Sequence, residues 1–288
     1  MENSRDANQG TKEYFEQILI EERLIGAVEP DLSFSVFDHT FSSPLMMPAY
    51  SHQGKAMLDY AQISRELNLV HFVGMCENQE FSDITEINPN TIRIIKPYKD
   101  KEKIFDQIAY AQEHGALAVG MDIDHVFGKG GKYDVILHEE MTGQTKDDLQ
   151  SYISFSKLPF VIKGVLSVQD ALLAEEIGAA AIMVSHHHGR MPYAIPPVRI
   201  LPAIKEKIRE NTIVFTDCGI NSGANAYKAL AMGSHAVCIG RDMRSVYKEQ
   251  GKEATLQFIR KMNQELSMLM AYTGVKNASC FDPTVLWF

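Results

Sequence analysis

Short apolar runs alternate with amphipathic stretches along almost the whole chain. Eight of these runs are predicted to be strands: residues 44–50, 69–76, 91–98, 117–124, 159–165, 180–187, 212–219 and 235–240. Near-continuous hydrophobic runs are typical of parallel strands that helices cover on both faces. Two of the intervening stretches end at glycines suited to a helix C-cap, Gly178 and Gly233. The pattern therefore predicts an α/β fold with a parallel sheet.

Eight strand-helix units favour a closed (β/α)8 TIM barrel over an open sheet, and 288 residues suit one barrel. We find no linker, so residues 1–288 are expected to form a single domain with the barrel over about 36–288. An extra helix is predicted at 13–28, before the barrel, and a helix or helix pair at 242–273. Residues 77–90 are only weakly periodic where the second helix should lie, and 125–144 are predicted to be a loop.

Composition excludes several classes of function. A formal charge of −9 and a pI near 5.6 argue against binding to nucleic acids or anionic membranes, whose phosphates the overall field would repel. The polar N-terminus lacks an apolar signal core, and no run approaches the ~20 apolar residues of a membrane span. The four cysteines form no CxxC pair, so neither a disulfide framework nor a zinc knuckle is suggested. A cytoplasmic protein is expected.

Ionisable residues and glycines gather where the predicted strands end. They are Lys96, Asp122, Lys163, His187, Arg190, Asp217, Gly219, Gly240 and Arg241. In a barrel these positions meet at the C-terminal face, where active sites lie. The glycines after the last two strands, with the fork-shaped donor of Arg241, suit a phosphate; the alternative is that they only shape tight turns.

The segment "IMVSHHHGR", residues 182–190, contains three consecutive histidines. A metal cluster, a catalytic base beside an anion-binding arginine, and a polar loop are the three interpretations. Side chains alternate along a strand, so His187 is predicted to face away from His186 and His188. That geometry disfavours a three-histidine metal site, and we predict no metal. For His186 and His188 a packing or loop role is expected.

Two longer stretches carry a family resemblance. "PFVIKGVLSVQDALLAEEIGAAAIMVSHHHGR" (159–190) and "TDCGINSGANAYKALAMGSHAVCIGR" (216–241) resemble the FMN-dependent α-hydroxy-acid oxidases and dehydrogenases, the group of glycolate oxidase and lactate oxidase. The family pattern reads V-I-K-G-V, S-N-H-G-G-R, D-G-G-I-R-x-G and I-G-R. Residues 36–124 match it more weakly. The resemblance implies an FMN-dependent oxidoreductase that converts a 2-hydroxy acid into the 2-oxo acid.

The resemblance also implies roles for single residues. His187 falls on the catalytic base, and imidazole suits that task because it exchanges protons near neutral pH. Asp122 falls on the carboxylate that orients the base, Arg190 on the group that grips the substrate carboxylate, and Lys163 on the lysine beside the flavin ring. The implied cofactor-binding set is Pro48, Ala49, Lys163, Ser185, Asp217, Gly219, Asn221, Gly240 and Arg241.

The chain departs from the family pattern at three places. The Q-x-Y of strand three is Ile94 and Lys96, the arginine after the fourth strand is His125, and the arginine of G-I-R is Asn221. Lys96 could act instead as an electrophilic partner of the substrate. A shortened segment 125–144 would leave an open pocket.

Two other functions stay open at this point. One is a flavin-dependent isomerase, and the other is a non-catalytic FMN-binding protein. For all three functions, the resemblance implies that the protein is a homo-oligomer, namely a tetramer. For the oxidase the partner is a small-molecule carboxylate substrate.

Overall fold

Eight parallel strands form a closed barrel in the computed structural model, which describes residues 6–128 and 130–288. We label the strands β1 (Leu45–Tyr50), β2 (His71–Val73), β3 (Thr91–Ile95), β4 (Ala118–Asp122), β5 (Phe160–Val165), β6 (Ala181–Val184), β7 (Ile213–Thr216) and β8 (Ala236–Cys238). The barrel closes where Val237 of β8 pairs with Leu45 of β1. The predicted TIM barrel is confirmed, and each predicted run contains one barrel strand.

Helices follow the strands and cover the barrel. They are α1 (Ala7–Gln17), α2 (Lys55–Glu66), α3 (Asn78–Ile87), α4 (Lys101–Glu113), α5 (Lys146–Phe155), α6 (Val168–Glu176), α7 (Pro197–Lys207), α8 (Gly223–Ala231) and α9 (Asp242–Tyr272). The weakly periodic segment is thus helix α3. Helix α9 is bent at Gly251, whose φ of 79° is non-helical, so both parts of the predicted helix pair are present. Among the described residues, no helix is long and apolar enough to cross a membrane.

The helix before the barrel exists, but its predicted bounds of 13–28 are wrong. Helix α1 begins after Asp6, whose side chain accepts a hydrogen bond from the Asn8 backbone N–H. It ends at Gln17, because residues 19–20 pair antiparallel with residues 286–287. Pairing with a segment from the other end of the chain therefore overrides the local helical periodicity.

The barrel interior is filled by apolar side chains, including Met46, Phe72, Met183 and Phe215. A short antiparallel pair, residues 34–36 and 39–41, adds Phe41 to the same cluster. A second, larger cluster lies between the barrel and its helices. Because the interior is packed in this way, a ligand site is left to the carboxyl ends of the strands.

Residues 125–144, predicted to be a loop, contain some ordered pairing. Residues 135–136 pair antiparallel with 139–140, and isolated bridges join Phe127 to Tyr133 and Tyr98 to Met141. We call residues 125–144 the β4–α5 segment. Its ordered backbone brings side chains to the site described next.

Candidate active site

A cavity of about 660 Å³ opens at the carboxyl ends of the strands. Eight members of the predicted cofactor-binding set line it: Pro48, Ala49, Lys163, Asp217, Gly219, Asn221, Gly240 and Arg241. Ser185 does not line it. The Ser185 Oγ accepts a 3.0 Å hydrogen bond from the His187 backbone N–H and so fixes the turn after β6.

Asp122, at the end of β4, is the buried centre of the site. Its Oδ2 lies 2.6 Å from Lys96 Nζ and its Oδ1 lies 3.0 Å from Lys163 Nζ. Burial alone would raise the pKa of Asp122, but Lys163 and Lys96 hold it well below its ordinary value. Asp122 and Asp217 in turn keep the pKa of Lys163 well above its ordinary value, against the opposing effect of burial. This part of the site is therefore a fixed charge cluster.

The imidazole of His187 lines the cavity and is held by a carboxylate that the sequence did not single out. Its Nδ1 lies 2.8 Å from Asp124 Oδ1, whereas Asp122 Oδ1 lies 3.7 Å away. A carboxylate accepts the Nδ1 proton, which leaves Nε2 free to take another. We therefore propose Asp124, rather than Asp122, as the orienting group.

The three histidines do not alternate as predicted, because β6 ends at Val184, before them. His187 and His188 have positive φ angles of 46° and 58°, so they lie in a turn. As a result His186, His187 and His188 all line the cavity. The prediction that His187 faces away from its two neighbours was wrong.

His186 attaches helix α1 to the mouth of the barrel. Its Nδ1 accepts from the Gly189 N–H at 3.0 Å, so its Nε2 carries the proton and donates to Thr11 Oγ1 at 2.9 Å. Thr11 in turn donates to the Ala7 carbonyl. Burial lowers the pKa of His186, which favours this neutral form. The packing role expected for His186 agrees with these contacts.

Arg190 lies beside the site but does not line the cavity. Its Nη2 lies 2.6 Å from the Phe127 carbonyl oxygen and 2.9 Å from Asp134 Oδ2. Its Nη1 lies 2.8 Å from His125 Nε2. The predicted carboxylate anchor is thus occupied by groups of the β4–α5 segment.

Lys96 is directed at Asp122 and His125, not at the cavity. Its Nζ lies 2.9 Å from His125 Nδ1. Burial, together with Lys96 and Arg190, lowers the pKa of His125 to about 3, so this ring is neutral. The suggested role of Lys96 as a direct electrophile has no support in this geometry.

Among the residues that the structure describes, one group of side chains could hold a metal ion, namely Asp122, His125 and His187. Their candidate ligand atoms lie within 4.8 Å of one another. The donor atoms already face cations, because Lys96 contacts both Asp122 and His125. A metal ion would be repelled by this neighbour, so an ion-pair network fits the site better.

Several features of the cavity fit a bound FMN. Tyr50 Oη and Asn221 Oδ1 are buried and have no hydrogen-bond partner within residues 6–128 and 130–288, and both residues line the cavity. A Cβ atom on Gly240 would lie 1.9 Å from Asn221 Oδ1, so only glycine leaves room there. The volume is in the range of cofactor sites. Orphaned polar groups and a glycine turn near Arg241 suit the phosphate, and buried Lys163 suits the flavin ring.

The fold and the site define a barrel oxidoreductase with a phosphate-bearing cofactor. A family model described as FMN-dependent dehydrogenase matches residues 2–138 and 130–288. The chain therefore belongs to the FMN-dependent dehydrogenase family, and its cofactor is FMN.

Individual relatives agree with this membership. The chain is 27% identical to a 2-hydroxyacid oxidase of Dictyostelium discoideum, over 93% of this chain and 79% of the relative. It is 35% identical to an L-lactate oxidase of a Nostoc strain, over 58% of this chain but 46% of that protein. A solved mandelate oxidase variant with benzoyl-formic acid has a TM-score of 0.88 at 19% identity, covering 99% of this chain and 90% of that one. The last similarity shows the fold alone.

The sequence did not predict two carboxylates of the site, nor that helix α1 lies over the cavity. Asp124 stands two positions after Asp122 in "GMDID", so its nearness to a strand end was a usable signal. For Asp134 no local signal existed, since it reaches Arg190 across 56 positions of sequence. Residues of α1 such as Thr11 and Phe15 line the cavity only because the helix folds back over it.

Proposed function

We propose that this protein oxidises a 2-hydroxy acid to the corresponding 2-oxo acid, with FMN as the cofactor. The observation that carries the proposal is the His187–Asp124 pair, which faces a cavity walled by Lys163 and Arg241. An imidazole with an oriented free nitrogen can remove a proton from a bound substrate. The relatives are named as a 2-hydroxyacid oxidase and an L-lactate oxidase, which supports a substrate of this class.

Each of these residues has a separate role in the oxidation. His187 Nε2 takes a proton from the substrate as the C2–H and O–H bonds break and the C2=O bond forms. Asp124 holds the imidazole and stabilises its cationic form. When bound, FMN would supply the acceptor for the electron pair and for the hydrogen that His187 does not take. Lys163 would place a positive charge beside the ring, and Arg190 would grip the substrate carboxylate.

Flavin reduction tests the proposal directly. The purified protein should show the visible spectrum of a bound flavin, and anaerobic addition of a 2-hydroxy acid from a panel should bleach it. A flavin-dependent isomerase would give product without lasting bleaching. A bound flavin that no hydroxy acid reduces would contradict the proposal and favour a non-catalytic FMN-binding protein.

We further propose that residues 1–288 form one domain, and that the protein is a cytoplasmic homo-oligomer, a tetramer. The family resemblance supports the tetramer. Light scattering coupled to size-exclusion chromatography tests the oligomeric state. A monomeric mass would contradict it.

A further inference from the structure

The Nη2 group of Arg190 is engaged by the β4–α5 segment, whereas its buried Nε has no hydrogen-bond partner among the described residues. Nη2 donates to Asp134 Oδ2 and to the Phe127 carbonyl, and Nη1 faces His125 Nε2. A bidentate grip on a carboxylate uses the same fork of donors. A substrate carboxylate that takes both terminal nitrogens therefore competes with Asp134 for Nη2.

Asp134 is chemically the same kind of group as the acid end of a 2-hydroxy acid. Its side chain is about a quarter exposed, and so is that of Arg190. Burial would raise its pKa, but the hydrogen bond and charge of Arg190 lower it, so the carboxylate stays ionised. Its Oδ2 also lies 3.2 Å from His125 Nε2. The pair is thus a charged contact beside the cavity that solvent and an anion can reach.

We infer that Asp134 is a specificity-determining residue that competes with the substrate carboxylate for Arg190. This inference rests on the proposed function, because it takes Arg190 as the anchor of the substrate acid. A hydroxy acid must displace Asp134 from the guanidinium before it gains the ion pair. A neutral ester of the same acid forms no ion pair with Arg190 and does not have to displace Asp134. Asp134 therefore weakens the binding of acids but not that of esters.

The backbone around Asp134 can stay in place during this exchange. The Asp134 N–H donates to the Val126 carbonyl at 2.9 Å, and the Met141 N–H donates to the Asp134 carbonyl at 2.8 Å. Oδ1 accepts from the Val135 N–H. The bonds of the carboxylate oxygens must be given up, which a rotation of the side chain accomplishes without moving these backbone hydrogen bonds.

The substitution Asp134→Asn tests the inference, because asparagine keeps the shape and the acceptor but removes the charge. We expect the KM for L-lactate to fall about fivefold, the range of a part-exposed ion pair, with kcat within about twofold of wild type. The KM for methyl L-lactate should not change. Glu140→Gln is the matched control, because it removes the same charge from the same segment where Glu140 pairs with exposed Lys99.

Pyruvate binding, measured by calorimetry on the FMN-loaded protein, gives a second readout that needs no turnover. Asp134→Asn should tighten pyruvate about fivefold and leave methyl pyruvate unchanged. Equal affinities for pyruvate in wild type and variant, or an equal gain for the ester, overturn the inference. Tighter pyruvate binding without any flavin reduction by hydroxy acids would instead overturn the proposed function and leave the competition standing.

Discussion

The two ends of the cavity follow the family pattern to different degrees. At the cofactor end, Pro48, Gly219, Gly240 and Arg241 all line the cavity as the resemblance implies. At the substrate end, the pattern's tyrosine and arginine are replaced, and Arg190 is bound by the chain's own Asp134. When the members of a family share one cofactor, the backbone turns and glycines that hold it must be kept. When their substrates differ, only the side chains that contact the substrate need to change. The substrate end is therefore where this chain departs most from the pattern, because the cofactor end differs at Asn221 but keeps its glycines and Arg241.

Of these substitutions, His187→Ala should have the largest effect, because it removes the proposed base. Removing the base should lower the rate of anaerobic flavin reduction by about 10²- to 10⁴-fold, the usual contribution of general base catalysis. Flavin content should stay at the wild-type level, because the other cavity walls remain. A variant that reduces its flavin at the wild-type rate would remove His187 from the mechanism.

Gly240→Ala probes the cofactor end alone. The added methyl group would lie 1.9 Å from Asn221 Oδ1 and push that side chain out of position. Overpacking of this kind costs about 1–3 kcal/mol, so FMN affinity should fall about tenfold to hundredfold in a fluorescence titration. Gly143→Ala is the control, since a Cβ there meets nothing within 4 Å. Unchanged FMN affinity in Gly240→Ala would show that this turn does not hold the cofactor.

Low pH should lower the stability of the folded protein through His125, a residue of the substrate end. Its pKa is about 3 in the folded protein against an ordinary value of 6.5, so below pH 6.5 the unfolded chain binds a proton that the folded chain does not. Stability is thus lost as the pH falls from 6.5 towards 3, by about 2 kcal/mol at pH 5. His125→Gln should lose correspondingly less between pH 7 and pH 5 in urea unfolding.

The exposed residue His138 offers the control, because the same substitution there should leave the wild-type pH dependence in place. If His125→Gln lost as much stability as wild type on acidification, a neutral ring held between Lys96 and Arg190 would be ruled out as the cause.

Asp124→Asn separates the two carboxylates near His187 and should have the smallest effect. Asparagine keeps a hydrogen bond to Nδ1 but does not stabilise the cationic ring, so kcat should fall about tenfold with little change in KM. Stopped-flow reduction measures this step. By contrast, Asp122→Asn should lower the amount of FMN that the protein retains, because Lys163 would lose its closest carboxylate. Full activity in Asp124→Asn would return the orienting role to Asp122.

Sequence periodicity located all eight barrel strands because each is buried on both faces and reads as a continuous apolar run. Strand ends then predicted most of the cavity wall, since parallel strands bring their carboxyl ends together. The bounds of α1 could not be found locally, because residues 19–20 pair with residues 286–287. Asp134 was missed for the same reason: its contact depends on how a turn folds over Arg190.

The docking of helix α1 has a consequence for biosynthesis. Thr11 meets His186 across 175 positions of sequence, and Lys228 Nζ donates to the Phe15 carbonyl across 213. The ribosome thus synthesises helix α1, which forms one wall of the cavity, long before the residues that this helix contacts. In a nascent chain this first helix cannot contact Lys228 until helix α8 has been synthesised, so loading with flavin should begin only after that point in translation.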